Sequence, residues 1–167
     1  VYTWKEEANI HYIISYELPD KYEGIRMRPG DEIEIGENVK VKTFDSTDLG
    51  VSFLLIIGDV HIFHAGDLNF WHWRAESTVQ EIEEADKLFK EAIVPLTSEK
   101  IDIAFFPVDP RQGRLYDAGV NYFTMSVKPR LIIPMHFWER NELITEFARR
   151  CRTRETEIIP MTHQGER

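Results

Sequence analysis

Three side chains able to do chemistry stand directly behind strand-like runs. Asp67 follows Val60-His61-Ile62-Phe63-His64 and the dipeptide Ala65-Gly66, Asp109 follows Phe105-Phe106-Pro107-Val108, and His136 follows Ile132-Ile133-Pro134-Met135. The period-two alternation of the first run predicts a half-buried strand. Gly66 lets the backbone turn sharply or approach another chain segment closely at the strand's end. Polar groups held just past a strand on a rigid scaffold are where metal ligands and acid/base groups commonly sit. Parallel strands would bring all three to one rim, the rim at which open α/β sheets bind ligands. An Asp and a His meeting there are donors for Zn²⁺ or Fe²⁺. The same residues also have a structural reading, in which Asp67 caps a turn and His136 is a hydrogen-bonded core histidine.

The residues around these three admit two readings each. His72 stands between Trp71 and Trp73, just past Asp67, where it could face a substrate pocket with Trp71 or donate a proton. Aromatic packing at a domain edge fits the same string. Arg111, two residues after Asp109, could hold an anionic group of a substrate, or the two could form a structural ion pair. His64 shares a strand face with Val60 and Ile62, which favours a buried, hydrogen-bonded ring that could orient Asp67. His11, His61 and His163 default to the surface. Trp4, Trp71 and Trp73 are candidates for an interface.

The elements that must position these groups are readable in outline. His11 to Tyr16 predicts a strand, and Pro29-Gly30 a turn. Glu32 to Ile35 and Val39 to Thr43 alternate cleanly, as antiparallel strands with one wet face do. Val51 to Ile57 is a nearly continuous apolar strand joined by Gly58-Asp59 to the Val60 strand, a hairpin signal. Ser77 and Gln80 suggest a capping box ahead of the stripe Ile82, Ala85, Phe89, Ala92 and Ile93. Ile101 to Phe106 predicts a strand ended by Pro107, and Leu131 to Ile133 one ended by Pro134. Tyr116, Val120, Phe123 and Val127 mark a second helix, and Leu143, Phe147 and Cys151 a third. Ile158 and Ile159 suit a final strand. The helices would cover one sheet while the early strands form part of a second.

At 167 residues with no internal repeat or linker, the chain is one domain with a real core. Its net charge of -9 argues against general nucleic-acid or anionic-membrane binding while leaving room for a local basic site. One cysteine, Cys151, forbids an intrachain disulfide and fits a reducing, cytoplasmic setting. The longest apolar run, Val51 to Ile57, is far too short to span a bilayer. The opening Val1-Tyr2-Thr3-Trp4 reads as the interior of a longer chain.

The strings HAGDLN, FFPVDPR and IIPMHFW, in this order with helices between them, resemble the metallo-β-lactamase-fold metallohydrolases, in a bacterial branch with aromatics around the GD and MH motifs. The resemblance covers roughly Tyr12 to Trp138. It implies an α+β architecture, a four-layer αββα sandwich, incomplete here at the N-terminus. It implies that Asp67 is the carboxylate able to bridge two metals and that His136 is a terminal ligand of the second metal position. Two features depart from the family. Its main motif, HxHxDH, is absent and would lie upstream of Val1. Its third-motif histidine would fall near Ser46-Thr47-Asp48, where Asp48 is either a substitute oxygen ligand or a solvated turn acid. The activity implied by the resemblance is hydrolysis of an ester, amide or phosphodiester of unknown identity in a small molecule, through metal-bound hydroxide. The metal would be zinc, with iron or manganese as alternatives, and His72, Arg111, Asp109 and Trp71 would contact substrate. The rival expectation is a non-catalytic binding or regulatory module of the same fold.

Overall fold

The computed structural model of the protein describes residues 10–163 and 165. Trp4, one of the candidate interface residues, lies outside them. Two short strands, β1 (Ile13–Ser15) and β2 (Ile25–Met27), pair in parallel as a small sheet of their own. Among the described residues the main sheet has seven strands in sequence order: β3 (Glu32–Ile35), β4 (Val39–Phe44), β5 (Ser52–Ile57), β6 (Val60–His64), β7 (Ile103–Pro107), β8 (Leu131–Met135) and β9 (Glu157–Ile158). Pairing is antiparallel from β3 to β6 and parallel from β6 to β9. The hairpin at Gly58-Asp59 is present, with Ile57 opposite Val60.

Of the early strands only β1 and β2 form a second sheet; β3 to β6, which the sequence also suggested for it, do not. β6 pairs with β5 on one side and β7 on the other, so β3 to β6 continue the sheet that carries the later βαβ units. Hairpins and crossovers can share one mixed sheet wherever a single strand has both edges free.

Three helices bury one face of this sheet. They are α1 (Val79–Ile93), α2 (Ala118–Val127) and α3 (Asn141–Cys151). Leu54, Phe63, Phe106 and Ile132 from the strands meet Phe89, Ile93, Val120, Phe123, Ile144 and Phe147 from the helices, all fully or almost fully buried. Phe123 packs on Phe106 with ring centroids 4.5 Å apart and on Phe63 at 5.6 Å. The α1 stripe is as expected, but its cap is one residue later than predicted. Thr78 accepts from the Glu81 backbone, and the Glu81 carboxylate accepts from the Thr78 backbone. Tyr116 falls just before α2, which closes on Lys128 in the left-handed region ahead of Pro129.

β7 ends at Pro107, which is its last residue, whereas β8 runs past Pro134 to Met135; that both prolines are taken into their strands follows from which side each faces. The Ile159 N–H bonds to Ile132 O, so alternate residues of β8, Pro134 among them, face β9. β9 pairs only with Leu131 and Ile132 and has ended by then. Pro107 likewise faces β6, whose pairing with β7 stops at His64 opposite Phe105. A missing N–H costs no ladder bond where the neighbouring strand is absent. Among the described residues no helix is long and apolar enough to cross a membrane.

Candidate metal centre

β6, β7 and β8 lie side by side in parallel and deliver Asp67, Asp109 and His136 to the same rim. The three side chains make a line. His136 Nε2 is 2.9 Å from Asp67 Oδ1, and His136 Nδ1 is 3.4 Å from Asp109 Oδ2. Asp67 is half exposed, His136 less so, and Asp109 completely buried. The line runs from solvent inward, with the imidazole in the middle.

Backbone geometry at the rim is unusual. Gly66, at φ 59°, carries the chain so close to β5 that a Cβ there would sit 3.2 Å from Val51 O. His136 and Trp138 take φ of 66° and 54°, in the left-handed region that residues with a Cβ enter at a cost of roughly 1 kcal/mol or more. Strain of this kind persists only where surrounding contacts hold it. Here the imidazole is held by two carboxylates and by the rings of Trp71 and Trp138, at 5.9 and 6.2 Å.

Asp109 faces His136 with one oxygen and is gripped by Arg111. Arg111 Nε donates to both carboxylate oxygens at 2.9 and 3.0 Å, its Nη2 donates to Oδ2, and its backbone N–H to Oδ1. Burial pushes the Asp109 carboxyl up, but the Arg111 hydrogen bonds and charge, with a smaller part from His136, bring it below the usual carboxylate range. Asp109 is therefore an anion behind the histidine and does not line the pocket. The Arg111 guanidinium, 53% exposed, lies over Trp138 at 5.0 Å and Trp73 at 5.7 Å. The structural ion pair expected for Arg111 is formed, and the residue also borders the pocket.

The pocket over this line has a volume of about 340 Å³ and is walled by Thr47, Asp48, Asp67, Trp71, Trp73, Arg111 and His136. Trp71 and Trp73 stack at 5.7 Å, nearly parallel, and Trp71 Nε1 donates to Asp67 O at 2.8 Å. Asp48 is on this wall, and its Oδ1 accepts from the Leu49 backbone as a turn acid does. His72 is not. Its ring is 1% exposed, its Nε2 is 2.9 Å from Leu115 O, and it packs edge-on against Phe70 at 4.9 Å. His64, expected to be buried, is exposed on the sheet face away from the helices. It stacks on Phe105, and its Nδ1 accepts from the Gly66 N–H at 3.0 Å.

Two buried amides and one half-buried hydroxyl tie the loops together, and sequence reasoning missed them. Thr47 Oγ1 donates to Asn69 O and accepts from Asn69 N–H. Asn69 Nδ2 donates to Gln112 Oε1, and Gln112 Nε2 to Phe70 O. The loops after β4, β6 and β7 are thus joined beneath the pocket. Thr47 stands in the Ser46-Thr47-Asp48 stretch already placed near the site and Trp138 in the IIPMHFW string, but that Trp73 and Trp138 flank Arg111 depends on how the loops meet.

Among the described residues no group of three or more His, Cys, Asp or Glu side chains is arranged to hold a metal. Asp67 and His136 offer one carboxylate and one imidazole donor, which suits zinc, iron or manganese but is fewer than the three protein ligands of a typical catalytic zinc site.

No protein-family model matches the chain, and no curated protein matches it. Solved structures do. A candidate metal-dependent hydrolase from Parabacteroides distasonis superposes with a TM-score of 0.68 at 16% identity, over 95% of this chain and 67% of that one. The metallo-β-lactamase fold protein YhfI from Bacillus subtilis superposes with a TM-score of 0.54 at 9% identity, over 83% of this chain and 53% of that one. At these identities the likeness is one of fold, and the chain spans only about half to two thirds of the proteins it matches. On that likeness and on its mixed sheet with helices packed against it, the chain has an α+β fold of the metallo-β-lactamase type.

Proposed function

We propose that Asp67 and His136 are two ligands of a divalent-metal site in a hydrolase of this fold, and that the site acts on a small molecule carrying an ester, amide or phosphodiester bond. The observation that carries the reading is the convergence of Asp67 Oδ1 and His136 Nε2 at 2.9 Å in a pocket, with Asp109 behind the histidine. Zinc is the first choice of metal, with iron or manganese as alternatives. When bound, such a metal supplies Lewis acidity and lowers the pKa of a water toward ~7.

The chain's own residues have separate tasks. Asp109 accepts the proton on His136 Nδ1 and so leaves Nε2 as the free donor atom facing Asp67. Asp48 is a further carboxylate on the pocket wall and would have to swing toward Asp67 and His136 to join them as a third ligand. Arg111 keeps its Nε and Nη2 on Asp109 and presents Nη1 to an anionic part of the substrate. Trp71 and Trp73 give the pocket an apolar wall against which the substrate packs. His72, donating to Leu115 O, braces the aromatic turn from beneath.

Elemental metal content per chain, measured on the complete protein with its intact mass verified, is the test. About one or two zinc, iron or manganese ions per chain are expected, with most of the metal lost in Asp67→Ala and in His136→Ala. Unchanged metal content in both variants overturns the assignment. Stoichiometric ligand binding without any metal would favour a non-catalytic module instead.

A further inference from the structure

The start of β8 borders a second concavity, of about 720 Å³, at the end of the sheet opposite the candidate metal centre. Leu131 lines it, whereas Met135 at the other end of β8 leads into His136, so strand rise alone separates the two by roughly 13–16 Å. Four arginines line this groove: Arg130, Arg149, Arg152 and Arg154. All four are exposed, and among the described residues none has an ion pair or side-chain hydrogen bond. In a chain with a net charge of -9 that is a local reversal of sign.

Ordinary structural needs do not account for it. Basic residues in the last turn of α3 complement the helix dipole, which suits Arg149, and Arg150 is used up by Asp117 at 2.6 Å. Arg152, the C-cap of α3, is suited by the dipole as well, but Arg130, which precedes β8, and Arg154, beyond the cap, are not. Of the two acids at the groove, Glu155 is held by Lys128 at 3.2 Å. Glu157 has no cationic partner among the described residues and would repel a compact polyanion.

The groove also has an open backbone edge. Among the described residues β9 is the edge strand of the sheet. The N–H groups of Glu157 and Ile159 point to β8, bonding Arg130 O and Ile132 O. Strand alternation therefore turns the N–H and C=O of Ile158 to the open side. Among the described residues no aromatic ring lines the groove, so it lacks the stacking platform on which single-stranded nucleic acids rely.

We propose that this groove binds an acidic, extended peptide segment of a partner protein. The segment lies along β9, pairs its backbone with Ile158, and sets its carboxylates against the four guanidiniums. Strand addition at an edge uses main-chain hydrogen bonds for affinity and side chains for selectivity. Guanidinium forks match carboxylates in pairs of hydrogen bonds. A strand's alternating side chains can avoid Glu157 in a way a compact polyphosphate cannot.

Fluorescence anisotropy with fluorescein-labelled hexaglutamate and the full chain tests this. Saturable binding at low ionic strength is expected, weakening steeply with added salt. Arg149→Glu/Arg152→Glu should lower affinity at least about tenfold, while the exposed control Lys21→Glu/Lys87→Glu, equal in charge change, stays within about twofold. Circular dichroism checks that the variants are folded. Absence of saturable binding overturns the proposal, as does an equal loss in the control. Tripolyphosphate competing better than unlabelled hexaglutamate at matched charge would replace the peptide with a phosphate ligand. A hexaglutamate N-methylated at alternate residues should bind more weakly, and equal binding would overturn the strand pairing.

Discussion

His136 points its two ring nitrogens at two different carboxylates, Nε2 at Asp67 across 2.9 Å and Nδ1 at Asp109 across 3.4 Å. The partners differ in what they can do. Asp67 is half exposed beside a pocket, whereas Asp109 is completely buried and tied to Arg111. One carboxylate faces the pocket, and the other backs the imidazole from the core.

Asp109→Asn should therefore lower stability by about 1–3 kcal/mol, the range for a hydrogen-bonded charged group inside a protein, and should do so in a pH-dependent way. The folded Asp109 sits below the ordinary carboxylate range. Its stabilisation is complete above the unfolded pKa near ~3.9 and is lost as pH falls through the lower folded value. Urea unfolding of both proteins between neutral pH and strongly acidic pH checks this. The gap between them should be constant near neutrality and close on the acid side. A gap independent of pH would contradict the role given to Asp109.

Gly119, in the first turn of α2, is tightly confined. A Cβ at this position would lie 2.0 Å from Asn69 Oδ1 and 3.0 Å from Phe70 N. Gly119→Ala should push Asn69 out of its bond to Gln112 and cost about 1–3 kcal/mol, although alanine favours a helix. Thermal unfolding gives the answer, and a neutral or stabilising effect would mean that the Thr47–Asn69–Gln112 tie is slack.

Two adjacent hydroxyls before α1 should behave differently. Thr78→Ala removes the capping box and should cost ~1 kcal/mol, while Ser77→Ala should leave stability within ~0.5 kcal/mol. Chemical denaturation of the two variants side by side separates them. Equal losses would place the cap at neither residue alone.

Trp71 reports on the proposed metal position. Its ring is 5.9 Å from the His136 ring, so Co²⁺ bound at His136 should quench tryptophan emission. Quenching should saturate in the complete protein and be largely lost in Asp67→Ala. An identical response in both would mean that the ion sits elsewhere.

Much of the framework was legible in the residues alone. Period-two runs and helical stripes are local consequences of burying one face of an element. They located β4 to β8 and the three helices, and they placed Asp67, Asp109 and His136 at strand ends. The hairpin at Gly58-Asp59 was readable for the same reason. What the residues could not show is what depends on neighbours distant in sequence. Pro134 stays inside β8, and Pro107 is taken into β7 as its last residue, only because β9 and β6 stop short of them. β3 to β6 join the main sheet only because β6 has two free edges.

The site divides in the same way. Residue type and position after a strand were enough to nominate Asp67 and His136, because parallel strands must deliver their ends to one rim. Which aromatic neighbour faces the pocket was decided by the turn after Gly66, which sets Trp71 and Trp73 on the wall and buries His72 against Phe70. The order Asp67, His136, Asp109, running from solvent to core, depends on the left-handed backbone at His136. A histidine does not dictate that conformation locally as a glycine would, and it is held by contacts from three loops that only the folded chain brings together.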